Sequence, residues 1–458
     1  MALANTVQWE VRTTGNDANG GGFDVLVTSP GTDFSQQSSP QVVYTDLVIA
    51  ATTTNLTSAA HPFGATHVGN IINIISGTGF TVGRYEVKSV SGVIATMDRA
   101  VGTAASTGGA GNLGGGLATP GAAATASVAQ NVIWVQSGTY TLTAAITATV
   151  AYSIIGYQTS HGDNGTAPTI TTATNSIALI ATASSSAALW VHNFILTTTA
   201  GTPGIGINNA SANSRCINVS NCTLTGFSTG VVSSAGILNV FNTWINTCGI
   251  GITAGSSTLG LNVIDCVVSG ATTVAAGGIS IGSADCSTSV IRTLIVGGSG
   301  DGFRMSGTGS SVKIVDSTIA NNSGFGINMA TAGWYTDGFG LLVQNNIIYG
   351  NGNVGIRSTA AYFWSTYIIN NGMGANTGGN YTNVTAISTI AITSNPFTSS
   401  GTGDYSLNTT AGGGAVLRGA GIPGVMPNGT TTQHIDVGGV NTSSGGGGGG
   451  GGSFTFLA

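Results

Sequence analysis

The sequence predicts an all-β chain: a right-handed parallel β-helix solenoid of about ten coils, with a small N-terminal β insertion and a flexible Gly-rich C-terminal tail. Three observations predict it. First, a glycine is followed directly by Ile, Val or Phe at Gly206-Ile207, Gly230-Val231, Gly251-Ile252, Gly278-Ile279, Gly302-Phe303, Gly326-Ile327 and Gly355-Ile356. The spacings are 24, 21, 27, 24, 24 and 29 residues, and a repeat of this length with no helical pattern inside it marks a chain wound into stacked turns. Second, an Asn or Asp stands three positions before an aliphatic in Asn193/Leu196, Asn221/Leu224, Asn242/Ile245, Asp265/Val268, Asp316/Ile319 and Asn345/Ile348, with Arg292/Ile295 as the one break. Third, short runs rich in Val, Ile and Thr alternate with Gly, Ser and Asn turns. Residues of successive turns then stack about 4.8 Å apart, so like residues form ladders.

In chain order, residues 1–39 form an N-terminal cap segment containing WEVRTTGNDANGGGF. Residues 40–105 alternate apolar and polar without the long period, as in VGRYEVKSVSGVIATMDRA, and read as a small antiparallel β insertion. Residues 106–128, dense in Gly, Ala, Ser and Thr, read as a flexible linker. The β-helix proper is expected over 129–392, opening with IWVQSGTYTLTAAITATVAYSIIGY. Residues 393–441 close it, with DYSLNTTAGGGAVLRGAGIPG and HIDVGGVN. Residues 442–458 carry eight glycines, Gly445 to Gly452, and the tail SFTFLA.

Composition narrows the function classes. Charged residues are 5% of the chain, glycines number 74 and the net charge is −5, so hydroxyls and amides must solvate the surface. Lys88 and Lys313 are the two lysines, which disfavours nucleic acid, whose binding needs clustered basic side chains. No apolar run reaches the roughly 18 residues of a membrane span. The N-terminus lacks a basic region followed by an apolar run, so no Sec signal peptide is expected. Five cysteines, Cys216, Cys222, Cys248, Cys266 and Cys286, form no Cys-x-x-Cys pair and read as small core residues rather than zinc ligands or disulfides. No metal and no cofactor are expected.

Four stretches carry a resemblance: VRTTGNDANGGGF at 11–23, VQSGTY at 135–140, the Asn-x-x-aliphatic coils, and the closing DYSL with HIDVG. Over about three quarters of its length the chain resembles the pectate-lyase-like superfamily of right-handed β-helix proteins, of the kind found in phage structural proteins and bacterial surface proteins. The resemblance implies architecture more than activity. Members that cleave polysaccharides use either calcium held by carboxylates with a basic residue, or paired carboxylates.

Carboxylates in the core repeat region are Asp265, Asp285, Asp301, Asp316 and Asp337. Asp265, Arg292 and Asp316 share one phase of the repeat in successive coils. They form either an acid pair around an arginine in a carbohydrate groove or a charge-compensated ladder. Asp301 and Arg304, at an exposed turn, form either a second catalytic pair or an ordinary salt bridge. GYQTSHGD either orients His161 near Asp163 or is simply a loop leaving the first coil. Trp334 and Tyr335, with Tyr362, Phe363 and Trp364, sit in lengthened coils and suit sugar stacking, an oligomer interface or loop packing. Phe454, Phe456 and Leu457 in the tail suit strand addition to a neighbouring subunit.

The function expected is a structural surface protein of a phage virion, a fibre, spike or decoration protein that scaffolds or binds host cell-surface glycan. It would be a homo-oligomer, possibly a trimer, contacting other virion proteins and cell-surface polysaccharide, with no nucleic acid and no membrane insertion. Virion surface is the expected location, an extracellular or cell-surface one the alternative. The alternatives in function are a polysaccharide lyase or hydrolase, and an adhesin or self-assembling filament.

Overall fold

A computed structural model describes residues 3–49, 53–183, 188–210, 216–274, 276–283, 285–307, 311–330, 340–359, 365–422 and 436–438. The protein is nearly all β, 4% helical, with a parallel β-solenoid of about 9 turns. It divides into two compact units, Met1–Leu196 and Thr197–Ala458.

In the first unit, β1 (Val7–Val11) pairs antiparallel with β2 (Gly22–Asp24). Six strands follow: β3 (Val42–Ile49), β4 (Asn55–Thr57), β5 (Ile71–Ser76), β6 (Gly83–Ser91), β7 (Ile94–Met97) and β8 (Ser106–Leu113). They close an antiparallel barrel in the order β3-β4-β7-β6-β5-β8, filled by Tyr44, Leu47, Phe63, Ile72 and Tyr85. The barrel is an insertion, because the chain leaves it to form α1 (Pro120–Ala126) and then β9 (Val132–Gln136), which lies parallel on β1. The strand Tyr152–Tyr157 pairs with β9, and Leu189–His192 pairs with it in turn.

The segment read as a linker over 106–128 is therefore a strand and a helix. Its glycines serve close packing. A Cβ on Gly109 would stand 2.5 Å from the Phe80 ring, and one on Gly111 would stand 2.9 Å from the Asn73 carbonyl oxygen. The helix starts where Thr119 Oγ1 accepts from Ala122 N and Pro120 occupies the first turn, both common helix-start features.

In the second unit the later coils visit three parallel sheets in turn, whereas Thr229–Phe241 and Ile250–Ile264 each run unbroken through the first two. Sheet I holds Ile279–Ile281, Phe303–Met305, Ile327–Met329 and Ile356–Ser358. Sheet II holds Ser287–Ile291, Val312–Val315, Gly340–Gln344 and Ser365–Ile369. Sheet III holds Leu294–Val296, Thr318–Ala320, Ile347–Tyr349 and Asn371–Gly374.

The two sequence columns meet in the core. A Cβ on Gly302 would lie 2.5 Å from Ile319 Cγ2 and 2.8 Å from the Gly326 carbonyl oxygen. Gly278 faces Ile295, Gly326 faces Ile348 and Gly355 faces Met373 in the same way. Each glycine makes room for the apolar side chain three positions after the left-handed corner residue of its own coil. The Asn column has a backbone cause. Asn193, Asn221, Asn242, Asp265, Arg292, Asp316, Asn345 and Asn370 have φ between 42° and 61°, the left-handed region that Asn and Asp tolerate best after glycine.

The closing segment covers the outer face of sheet III. Ile392, Phe397, Tyr405, Leu407, Leu417 and Val437 pack with Leu294, Val296, Ala320 and Ile347. The left-handed asparagines hold it: Asn370 Nδ2 donates to the Ala420 carbonyl at 2.7 Å, and Asn345 Oδ1 accepts from Ile422 N at 3.0 Å.

Candidate functional sites

At the corner between sheets II and III, Arg292 pairs with Asp265 and not with Asp316. Arg292 donates to both oxygens of Asp265, Nε at 2.6 Å and Nη2 at 2.7 Å. Asp316 instead accepts from Asn345 Nδ2 at 3.1 Å. Burial pushes the Asp316 carboxyl up, against the hydrogen bond from Asn345 and the charges of Arg292 and Lys313. Asn242 to Asn221 and Asn370 to Asn345 make the equivalent side-chain bonds, at 3.2 and 3.0 Å. The three charged residues thus occupy a turn position that the flanking coils fill with Asn.

One residue on, a column of small polar and thiol groups points inward: Cys222, Thr243, Cys266, Thr293, Ser317, Asn346 and Asn371, of which all but Cys222 and Cys266 are polar and all are buried. Cys266 Sγ reaches the Val240 and Ile264 carbonyls at 3.3 and 3.2 Å. Asn346 Nδ2 donates to Ile314 O and to Asn371 Oδ1, both at 2.9 Å. A second inward ladder, Asn322–Asn351–Asn376, runs along the other edge of sheet III at 3.1 and 3.0 Å. These ladders satisfy carbonyls that the corners leave without strand partners. None of the five cysteines is in a disulfide, and burial pushes the Cys248 thiol up to about 11 and Cys266 up to about 12. Cys248 and Cys266 are core hydrogen-bonding groups, and a thiol raised this far is a poor nucleophile.

Asp301 was expected on an exposed turn, and it is buried at 4% exposure. Its Oδ1 accepts from Phe325 N at 3.0 Å and its Oδ2 from Asn328 Nδ2 at 2.7 Å, with Arg304 Nη1 at 3.5 Å. Gly324 leaves the space that this carboxylate fills, since a Cβ there would stand 2.4 Å from Oδ1. Arg304, Asn328 and Arg357 are register partners on three successive strands of sheet I. Arg357 lies over the Phe325 ring at 4.7 Å.

On the outer face of sheet II, a shallow groove of about 290 Å³ is lined by Ser287, Ser289, Ser311, Lys313, Leu342 and Tyr367, among others. Ser289, Lys313, Leu342 and Tyr367 are one column of register partners, and the Tyr367 ring is half exposed. The aromatic pairs Trp334–Tyr335 and Tyr362–Phe363–Trp364, and the tail residues Phe454, Phe456 and Leu457, lie outside the described residues.

A cluster in the first unit was not read from the sequence. Glu10, 1% exposed, accepts from Arg12 Nε at 2.8 Å and from the Tyr157 hydroxyl, and its other oxygen meets His161 Nε2 at 2.9 Å. His161 stacks on Trp134, with centroids 4.4 Å apart and planes at 4°. Burial and the Glu10 charge push the Tyr157 phenol up, so it donates. His161 therefore belongs to Glu10, not to Asp163. Asp163 accepts from the backbone of Gln158, Thr159, Ser160 and Gly165, which holds its carboxyl well below the usual range. The arrangement clasps the loop against β1. Its one sequence signal is scarcity: Glu10 and Glu86 are the only glutamates, and both are buried. Among the described residues no group of three or more His, Cys, Asp or Glu is placed to hold a metal ion.

No protein-family model matches the chain, and no curated protein matches its sequence.

Proposed function

We propose that the protein is a structural surface component of a phage virion whose solenoid binds host cell-surface glycan without cleaving it. The observation that carries this reading is the groove on sheet II. Serine hydroxyls, the Lys313 ammonium and the half-exposed Tyr367 ring present hydrogen bonds, charge and a stacking face in one column, the combination that suits sugar rings. The carboxylates proposed for chemistry are already engaged. Asp265 holds Arg292, Asp316 accepts from Asn345, and Asp301 holds Phe325 N and Asn328. The virion assignment rests on the likeness of the opening and closing motifs, and the rigid stack of like coils supports display on a particle.

The test is retention of purified surface polysaccharides on immobilised full-length protein, comparing wild type with Tyr367→Ala and Lys313→Ala. The reading expects at least a tenfold loss of retention in both variants with unchanged thermal unfolding. Equal retention by wild type and both variants would overturn the groove as the binding site.

A further inference from the structure

The outer face of sheet I carries a second constellation, independent of the groove on sheet II. The chain has 10 basic residues in 458, yet Arg304 and Arg357 stand one rung either side of Asn328, so their backbones are roughly 10 Å apart. Asn328 is 3% exposed. Its amide orientation is fixed by Asp301: Nδ2 donates to Oδ2 at 2.7 Å, and the flipped amide would set its oxygen against a carboxylate. Asn328 Oδ1 is consequently turned away from Asp301, buried and without a hydrogen-bond partner. A buried acceptor without a donor is costly, and here a buried carboxylate holds it in that orientation.

The charge count points the same way. Asp301 offsets one guanidinium, through Arg304 at 3.5 Å. Arg357 faces the Phe325 ring, and among the described residues no carboxylate pairs with it. The constellation is left with one net positive charge and one acceptor in need of a hydrogen.

We propose that Arg304, Asn328 and Arg357 form a binding site for a singly charged oxyanion carried on a polyol. The oxyanion meets the guanidinium of Arg357, with Arg304 beside it, and a neighbouring hydroxyl donates to Asn328 Oδ1. Guanidinium forks bind oxyanions through paired N–H donors, and the two arginines flank Asn328 in register on long, rotatable side chains. A sulfate ester and a carboxylate satisfy the same chemistry.

Ligand-observed NMR titration of the full-length protein distinguishes the sources. The probes are glucose 6-sulfate, gluconate, glucose alone and methyl sulfate alone. The site predicts that glucose 6-sulfate, gluconate or both bind at least tenfold more tightly than glucose or methyl sulfate. Whichever binds identifies the oxyanion. That binding falls at least tenfold in Arg357→Ala, falls in Arg304→Ala, and survives in Tyr367→Ala, which separates this site from the groove. Absence of binding by both hydroxylated anions, or binding equal in wild type and Arg357→Ala, would overturn the proposal.

Discussion

The coils of the second unit and the barrel of the first solve the same problem, burying polar groups in a β core, in opposite ways. The coils use neutral ladders. Asn322 and Asn351 each donate to the next Asn and to a carbonyl, and Asn376 donates to the Ile348 carbonyl. The barrel junction uses charge. Glu86, fully buried, accepts from Lys88 Nζ at 2.8 Å, and Lys88 also reaches Asp24 at 3.4 Å. Glu86 Oε2 has no partner of its own, and burial pushes the Glu86 carboxyl up to about 7. The difference teaches that repetition lets an uncharged group be satisfied by its copy one rung away, whereas a single site must find an ion or a proton.

The largest expected effect comes from breaking the repeat itself. Gly302→Val puts a branched side chain into Ile319 and a neighbouring carbonyl. It should cost more than about 3 kcal/mol, seen as loss of soluble protein or a collapsed Tm. Gly121→Ala in α1, where a Cβ meets nothing within 4 Å, is the control and should be neutral or stabilising by up to about 1 kcal/mol.

The barrel should show a pH dependence that the uncharged Asn322–Asn351–Asn376 ladder lacks. Because the folded Glu86 is raised to about 7 from its usual 4.5, its favourable contribution is complete below pH 4.5 and is lost as pH rises through 7. The loss amounts to roughly 3 kcal/mol. Hydrogen exchange of β5 and β6 should accelerate between pH 5 and 8 beyond the intrinsic rate increase, and Glu86→Gln should abolish that excess. An excess unchanged in the variant would assign it to another group.

Asn351→Ala removes one rung of a buried ladder and strands its neighbours. A cost of about 2 kcal/mol is expected, read by chemical denaturation. The smallest effect belongs to the charged corner. Replacing Asp265 and Arg292 together by Asn restores the residue that flanking coils use at this left-handed turn. The partly exposed pair that it removes contributes at most about 1 kcal/mol, and relief of the arginine's left-handed backbone offsets much of that. The double variant should unfold within about 1 kcal/mol of wild type. A loss of several kcal/mol would show that the pair, not the turn, organises this corner.

These comparisons also explain which features were legible in the sequence. The Gly-apolar and Asn-x-x-aliphatic columns were legible because each answers one demand, a missing Cβ or a left-handed φ, that few residues meet. The inward column beside the Asn positions is legible only at its buried cysteines, because Cys266, Thr293, Ser317 and Asn346 all serve the same carbonyl-capping role. The doublets Asn321-Asn322, Asn345-Asn346 and Asn370-Asn371 were the available sign, one Asn for the turn and one for the core. The barrel's eighth strand was hidden by its glycines, which signal close packing and flexibility alike. Of the candidate sites, the positions of Asp265, Arg292 and Asp316 in one column were read correctly. The burial of Asp301 and the partnership of His161 with Glu10 depend on contacts between residues far apart in the chain, which no local pattern encodes.

The most direct test of the central claim, binding without cleavage, is to incubate full-length protein with a surface polysaccharide that it retains. Bound polysaccharide and newly formed chain ends are measured in the same sample. The account predicts stable retention with the chain-length distribution unchanged. Progressive shortening of the polysaccharide, abolished by Asp316→Asn, would contradict it and make the solenoid an enzyme.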